Sequence, residues 1–424
     1  MDFSSFSLAP AITAGITACG FQAPTPIQQQ TLPAALAGQD VMGLAQTGTG
    51  KTAAFVLPIL QRLLSGPKGR VRALVLAPTR ELAEQIAVAA RELGNKTGLR
   101  TVAVYGGVSK NSQLAQLRRG VEIIVACPGR LLDHLREGAI KLDGVEVLVM
   151  DEGDQMFDMG FLPDIRRIMR YLPAKRQNML FSATMPADIR RLAGELLVDP
   201  QEVRIACDQP AATISQALYP VEAKQKTAML LTLLAENAEN PVRSALVFTR
   251  TKHGAKKLAR RLNAAGHRAS DLQGNMSQNK RQAALDGFRD GTFTILVATD
   301  IAARGLDVAK VSHVINYDMP NTAEAYTHRI GRTGRAQRQG AAFSLVLQED
   351  QTLIRAIERG LGKSIERRQL EALVPCEPDQ AAPPPRGRRP GSRPDSRPAS
   401  RRPGTSARPR RQGRSQSASG PRAV

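Results

Sequence analysis

Short apolar runs of strand length recur along the chain, separated by stretches with helical spacing. In the first half they are Val41–Leu44, Ala73–Leu76, Thr101–Tyr105, Ile123–Ala126, Val145–Met150 and Asn178–Phe181. In the second half they are Leu218–Val221, Ala245–Phe248, Thr294–Ala298, His313–Tyr317 and Ala342–Leu347. Runs that are apolar throughout, rather than alternating, predict strands buried on both faces. Between two of them, Leu82, Ile86, Ala90 and Leu93 share one face of a predicted helix over Glu81–Gly94, with Gly94 as its C-terminal stop. Ala9–Phe21 reads as a further helix and not a leader, because Asp2 is acidic and Thr and Gly interrupt the apolar stretch. Strands alternating with helices predict an α/β fold with parallel sheets.

The pattern breaks at Asp208, Gln209 and Pro210. A linker is therefore expected over 207–215, between a first domain at 30–206 and a second at 216–375. From Ala382 the chain is almost wholly Pro, Gly, Ser and Arg. Such a segment cannot bury enough surface to offset its ordering entropy, so a disordered basic tail is expected over 376–424.

Charge adds a partner. Lys and Arg number 59 against 38 Asp and Glu, a net +21. Residues 382–424 hold twelve Arg and one acid, Asp395, so +11 of the +21 lies there. That balance points to a polyanion, nucleic acid ahead of an anionic membrane. Trp is absent and aromatics are 4%, which argues against repeated base stacking. Cys19, Cys127, Cys207 and Cys376 form no CxxC pair, so neither a zinc ribbon nor a disulfide framework is expected, and a reducing cytoplasm is the default location. No apolar run reaches about 18 residues, so no membrane span is expected.

The strongest local motif is Ala45-Gln46-Thr47-Gly48-Thr49-Gly50-Lys51-Thr52, set between a strand and a helical pattern. Glycines let backbone N–H groups face phosphate oxygens, and the following helix adds its positive end. Lys51 suits the β- and γ-phosphates, and the Thr52 hydroxyl suits Mg²⁺. A second motif, Asp151-Glu152, ends the run Val145–Met150, where a sheet presents ligands to a phosphate loop. Asp151 would hold the Mg²⁺ shell and Glu152 would polarise the attacking water. A third, His328-Arg-Ile-Gly-Arg332-Thr-Gly-Arg335, falls in the other domain, which has no phosphate loop of its own. Arg332 and Arg335 suit fingers reaching a γ-phosphate across a cleft.

With these motifs in order, the chain resembles the DEAD-box ATP-dependent RNA helicases, and among them the bacterial RhlE type. The resemblance covers roughly residues 1–375. It implies two tandem RecA-like domains, ATP and Mg²⁺, and RNA-stimulated ATP hydrolysis coupled to local duplex unwinding or remodelling of RNA–protein complexes. Residues 1–29, with Gly20-Phe21-Gln-Ala-Pro24-Thr25-Pro26-Ile27-Gln28 and the upstream Phe3, resemble the adenine-reading Q motif. By that match Gln28 bonds the adenine edge, and Phe3 and Phe21 give apolar contact. Pro78-Thr79-Arg80, Gly107, Pro128-Gly129-Arg130, Thr249-Arg250, Gly274 and Thr299 resemble elements that grip the RNA backbone. Asp154, Ser182, Thr184 and His328 resemble coupling residues, and Asp307 a contact to the ATP ribose. The partner implied is single-stranded or short duplex RNA, bound without sequence preference; ribosomal precursors and the RNA-degradation machinery are the wider partners suggested.

Three departures stand out. The Asp-Glu-Ala-Asp of that family is Asp151-Glu152-Gly153-Asp154 here, its Thr before Pro-Gly-Arg is Cys127, and Gln273 replaces a frequent His. Two other functions remain open from the residues alone: a non-catalytic RNA-binding or annealing scaffold with a degraded nucleotide site, and a DNA translocase.

Overall fold

The computed structural model describes residues 2–46, 48–205, 214–235, 242–303, 311–334 and 340–370. Most of the expected linker and the whole of the expected tail lie outside the described residues.

Seven strands form the first sheet: β1 (Val41–Leu44), β2 (Ala73–Leu76), β3 (Thr101–Val104), β4 (Ile123–Ala126), β5 (Val147–Met150), β6 (Gln177–Ser182) and β7 (Gln201–Arg204). Their order is β3-β4-β2-β5-β6-β1-β7, every pair parallel. The second sheet holds β8 (Ile214–Pro220), β9 (Ala245–Phe248), β10 (Ala269–Leu272), β11 (Ile295–Ala298), β12 (His313–Asn316), β13 (Gly340–Val346) and β14 (Glu366–Arg367). Its order is β10-β11-β9-β12-β13-β8-β14, again parallel throughout. Adding seven to each strand number of the first sheet reproduces the second. The chain is one topology built twice.

The unbroken apolar runs have a direct cause. In β2, Ala73 and Val75 join one core while Leu74 and Leu76 join the core on the opposite face. Ala245 and Val247 divide from Leu246 and Phe248 in the same way in β9. Both faces are covered by helices, so alternation would have placed polar groups in a core. The Glu81–Gly94 prediction corresponds to a helix over Arg80–Leu93, capped by the Thr79 hydroxyl accepting from Leu82 N–H. The N-terminal prediction corresponds to a helix over Pro10–Ala18. Three strands escaped the sequence pattern, β7, β10 and β14, and β8 starts four residues earlier than its apolar run. Among the described residues no helix is long and apolar enough to cross a membrane.

Asp40, just before β1, holds the start of the first sheet together. Its Oδ1 accepts from Asn178 N–H at 2.7 Å, and its Oδ2 accepts from Val198 N–H at 2.9 Å. Gln177 alongside donates to the carbonyls of Ala35 and Gln39. Asp40→Ala would leave the buried Asn178 N–H unmet, at about 1–3 kcal/mol, and the half-buried Val198 N–H without its partner at a smaller cost. A loss of about 1–3 kcal/mol in urea unfolding is expected, with Asp40→Asn losing less because its one carbonyl oxygen can still accept. Equal stability of Asp40→Ala and the natural chain would remove this anchor role.

Candidate functional site

The C-terminal ends of β1, β5 and β6 lie side by side, because β6 pairs with both others. The residues that follow these strands therefore meet. Gly48 and Gly50 take left-handed φ of 89° and 95° in the loop after β1. At Gly50 a side chain is excluded twice over, since a Cβ would also come within 2.6 Å of Gln28 Nε2. The loop opens into a helix over Lys51–Leu63, with Thr52 in its first turn. Lys51 is buried and folds back, its Nζ donating to Ala45 carbonyl at 2.9 Å and standing 3.9 Å from Asp151 Oδ1. Thr49 Oγ1 donates to Gln46 carbonyl, closing the loop on itself.

Asp151, Glu152 and Asp154 are all buried. Burial pushes the Asp151 carboxyl up to about 6, against the pull of the Lys51 ammonium. Its Oδ1 accepts from Glu152 N–H. Glu152 itself has φ 55° and ψ 53°, a left-handed turn that a non-glycine residue adopts at a cost. Strain of this kind persists where surrounding contacts over-determine it and is common at functional sites. Asp154 supplies such contacts. Its Oδ2 accepts from Ala183 N–H, Thr184 N–H and the Thr184 hydroxyl at 3.2, 2.9 and 3.0 Å. Its own N–H donates to Ser182 Oγ at 3.1 Å. The strand ends of β5 and β6 are thus tied by four bonds between Asp154 and Ser182–Thr184.

Gln28 occupies both ends of its amide within the protein. Its oxygen accepts from Thr25 N–H at 3.0 Å and its nitrogen donates to Gly50 carbonyl at 3.0 Å. One N–H and one lone pair remain, the pair that a purine edge requires. Gln28 therefore links the N-terminal segment to the loop after β1. Phe3 and Phe21 stack with ring centroids 6.4 Å apart, Phe3 buried and Phe21 exposed. Thr47, Asp307 and Arg335 lie outside the described residues.

A cleft joins the two domains, walled by Gln155 of the first and by His328, Arg329 and Arg332 of the second. Arg332 is buried there. Sequence reading passed over Arg329, because its role is visible only in three dimensions. Its guanidinium donates to both Asp300 oxygens at 2.5 and 2.7 Å, bonds Asn316 Oδ1 and lies 4.7 Å over the Phe248 ring. This fixes the helix Ala323–Ile330, which ends just before Arg332.

A groove beside the cleft gathers Pro78, Thr79, Arg80, Gly129 and Arg130 with Gly274 and Arg281 of the second domain. Gly107 abuts the Arg80 guanidinium, where a Cβ would come within 2.0 Å of it. Pro128 starts the helix behind Gly129 and Arg130. Thr249, Arg250 and Thr299 follow the ends of β9 and β11 and do not line this groove. Glu81, within the Pro78–Leu82 segment that the sequence assigns to RNA grip, bridges the domains together with Arg80, whose Nη1 donates to Gln278 Oε1 at 3.4 Å. Glu81 Oε1 accepts from Arg281 Nε at 2.8 Å and from Gln278 Nε2 at 3.3 Å. Cys127 lines the groove as the residue before that helix, and burial pushes its thiol up to about 12, so it stays protonated.

The chain matches the family model described as DEAD/DEAH box helicase over residues 25–192 and that of the helicase conserved C-terminal domain over 225–337. It is 43% identical over 365 residues to the ATP-dependent RNA helicase CshA of Listeria monocytogenes, covering 86% of this chain and 69% of that protein. It is 45% identical over 360 residues to the RNA helicase CrhR of Synechocystis, covering 83% and 72%. Among solved structures it is similar to S. cerevisiae Dbp5 bound to RNA and ADP BeF3, with TM-score 0.76, 33% identity and coverage of 87% and 95%.

Gly153 departs from an alanine and is packed accordingly. A methyl added there would sit 3.0 Å from Leu180 Cδ1 and 3.9 Å from Ser182 Oγ. The leucine side chain has taken the space that a methyl would fill. Gly153→Ala gains up to about 1 kcal/mol of helix preference and must move one flexible methyl by a few tenths of an ångström. A stability change within about 1 kcal/mol is expected in thermal unfolding. A loss above about 3 kcal/mol would mean that the backbone, not Leu180, sets this spacing.

Proposed function

This chain belongs to the DEAD-box family of ATP-dependent RNA helicases, and we propose that it couples ATP turnover to RNA remodelling through the residues gathered at the ends of β1, β5 and β6. The supporting observation is the buried Lys51 ammonium 3.9 Å from Asp151, beside an Asp154 bonded into Ser182–Thr184. The donor set fits Mg²⁺, which takes one or two carboxylates, a hydroxyl, waters and phosphate oxygens. A buried carboxyl raised to about 6 gains most from a neighbouring cation. Asp151 and Thr52 would hold the ion, which would neutralise charge on the phosphates. RNA binding rests on the groove lined by Thr79, Arg80, Gly129, Arg130 and Gly274. Backbone amides, hydroxyls and guanidinium groups suit phosphate and sugar contacts, which carry no base identity.

Each residue then has a distinct task. The loop 45–52 and Lys51 bind phosphate, and Gln28 and Asp307 bind the base and ribose. Glu152 orients the water. Arg332 and Arg335 complete the site from the second domain. Asp154 passes the state of the nucleotide to Ser182 and Thr184, and so to the strand beside the phosphate loop. The domain bounds 30–206 and 216–375, the RhlE-type grouping, a cytoplasmic location and an RNA role for the tail belong to this proposal. So do ribosomal precursors or RNA-degradation machinery as wider partners.

Steady-state turnover with and without single-stranded RNA tests it. Lys51→Ala and Glu152→Gln are both expected to abolish RNA-stimulated hydrolysis, while Glu152→Gln still binds ATP. Arg332→Ala and Arg335→Ala are expected to lower it by about 10³-fold or more with folding retained. The natural Gly153 protein is expected to be active and Gly153→Ala no more than several-fold different. RNA binding by a natural chain as inert as Glu152→Gln would restore the scaffold alternative.

A further inference from the structure

The doubled topology puts the second domain's own lysine and aspartate where the first domain has Lys51 and Asp151. Lys51 opens the helix after β1, and Lys226 opens the helix Lys226–Ala235 that follows β8, the equivalent strand. Asp151 follows β5 and its N–H donates to the carbonyl of Leu76, the last residue of β2. Asp318 follows β12 by one extra residue, and its N–H donates to the carbonyl of Phe248, the last residue of β9. In the first domain the two charges stand 3.9 Å apart. In the second they are in contact, Lys226 Nζ donating to Asp318 Oδ1 at 2.9 Å and to Tyr317 carbonyl at 2.8 Å.

Every polar group of Asp318 is engaged. Besides the two bonds above, its Oδ2 accepts from Arg250 N–H at 2.9 Å and its carbonyl accepts from Arg329 at 2.7 Å. Arg250 is assigned to RNA, and Arg329 anchors the segment that carries Arg332. Lys226 is buried, so its bond to Asp318 is little screened by solvent. A buried ammonium with a carboxylate and a carbonyl as partners fixes those partners in one arrangement, because releasing either leaves an unmet charge.

We infer that Lys226 and Asp318 form a positioning pair, closed in direct contact where the equivalent Lys51 and Asp151 stand 3.9 Å apart, and that this pair sets Arg250 and the Arg329–Arg332 segment for work on RNA and nucleotide. The inference rests on the roles proposed above for Arg250 and Arg332. It assigns neither Lys226 nor Asp318 to direct contact with substrate. Freed of its partner, the Asp318 carboxylate would still accept from Arg250 but would no longer be held against β9 and the helix together.

The test uses the full chain, with poly(U) as the RNA probe and Arg250→Ala as the control. In Lys226→Gln and Asp318→Asn, the KM for RNA is expected to rise by about tenfold and kcat to fall, with the KM for ATP changed by less than about twofold. Lys226→Arg keeps the charge and is expected to recover much of the loss. The double variant Lys226→Gln/Asp318→Asn is expected to lose little more than either single one, as for two residues acting together. An unchanged RNA KM in folded Lys226→Gln would overturn the pair's role. Should Lys226→Gln fail to fold, Asp318→Asn decides, since an unchanged RNA KM in folded Asp318→Asn would also overturn it. A normal RNA KM in Arg250→Ala would instead refute the RNA assignment of Arg250, and the positioning role toward RNA with it.

Discussion

Three carboxylates within four residues stand buried at the end of β5, and much of the first domain is arranged around keeping them there. Burial opposes their charge, which is why Asp151 is pushed up to about 6 and why the Lys51 ammonium lies near it. Asp154 is relieved differently, by four hydrogen bonds to and from Ser182, Ala183 and Thr184. Glu152 takes a left-handed turn between them. A water-poor site strengthens each electrostatic contact that a phosphate would make, and fixed groups need no reorganisation when charge develops.

Under the proposed reading, the same constraint accounts for the need for two domains. The first presents lysine, carboxylates and loop amides from strand ends that share one edge of a sheet. The second repeats the strand order but closes its own equivalent position with Lys226 and Asp318 in contact. It lines the cleft with Arg329 and Arg332. Arg329 shows how such a contribution is held: bidentate to Asp300, stacked on Phe248 and bonded to Asn316. An exposed arginine in the same place would lose rotamer entropy each time it engaged. Glu81 with Arg281 and Gln278 joins the domains on the groove side, and the short helix Asp300–Ala303 lines the groove through Ile301 and the cleft through Asp300 and Ala303.

Periodicity and motif order by themselves determined the parallel α/β architecture, the central strands and the phosphate-loop, carboxylate and arginine segments. Central strands bury both faces, so their residues are apolar throughout and stand out in a linear pattern. The strands β7, β10 and β14 were invisible for the converse reason. They lie at sheet edges, where Gln201-Glu-Val-Arg204 or Ala269-Ser-Asp-Leu272 can expose polar side chains. Only the tertiary structure decided that Arg329 is an anchor and that Glu81 bridges domains. It alone showed that Gln28 ties the N-terminal segment to Gly50, that Leu180 fills the space beside Gly153, and that Lys226 meets Asp318. Each of these depends on which strand ends become neighbours. A sequence states that a lysine opens a helix; the distance from its nitrogen to a carboxylate some ninety residues away is set by sheet order and register.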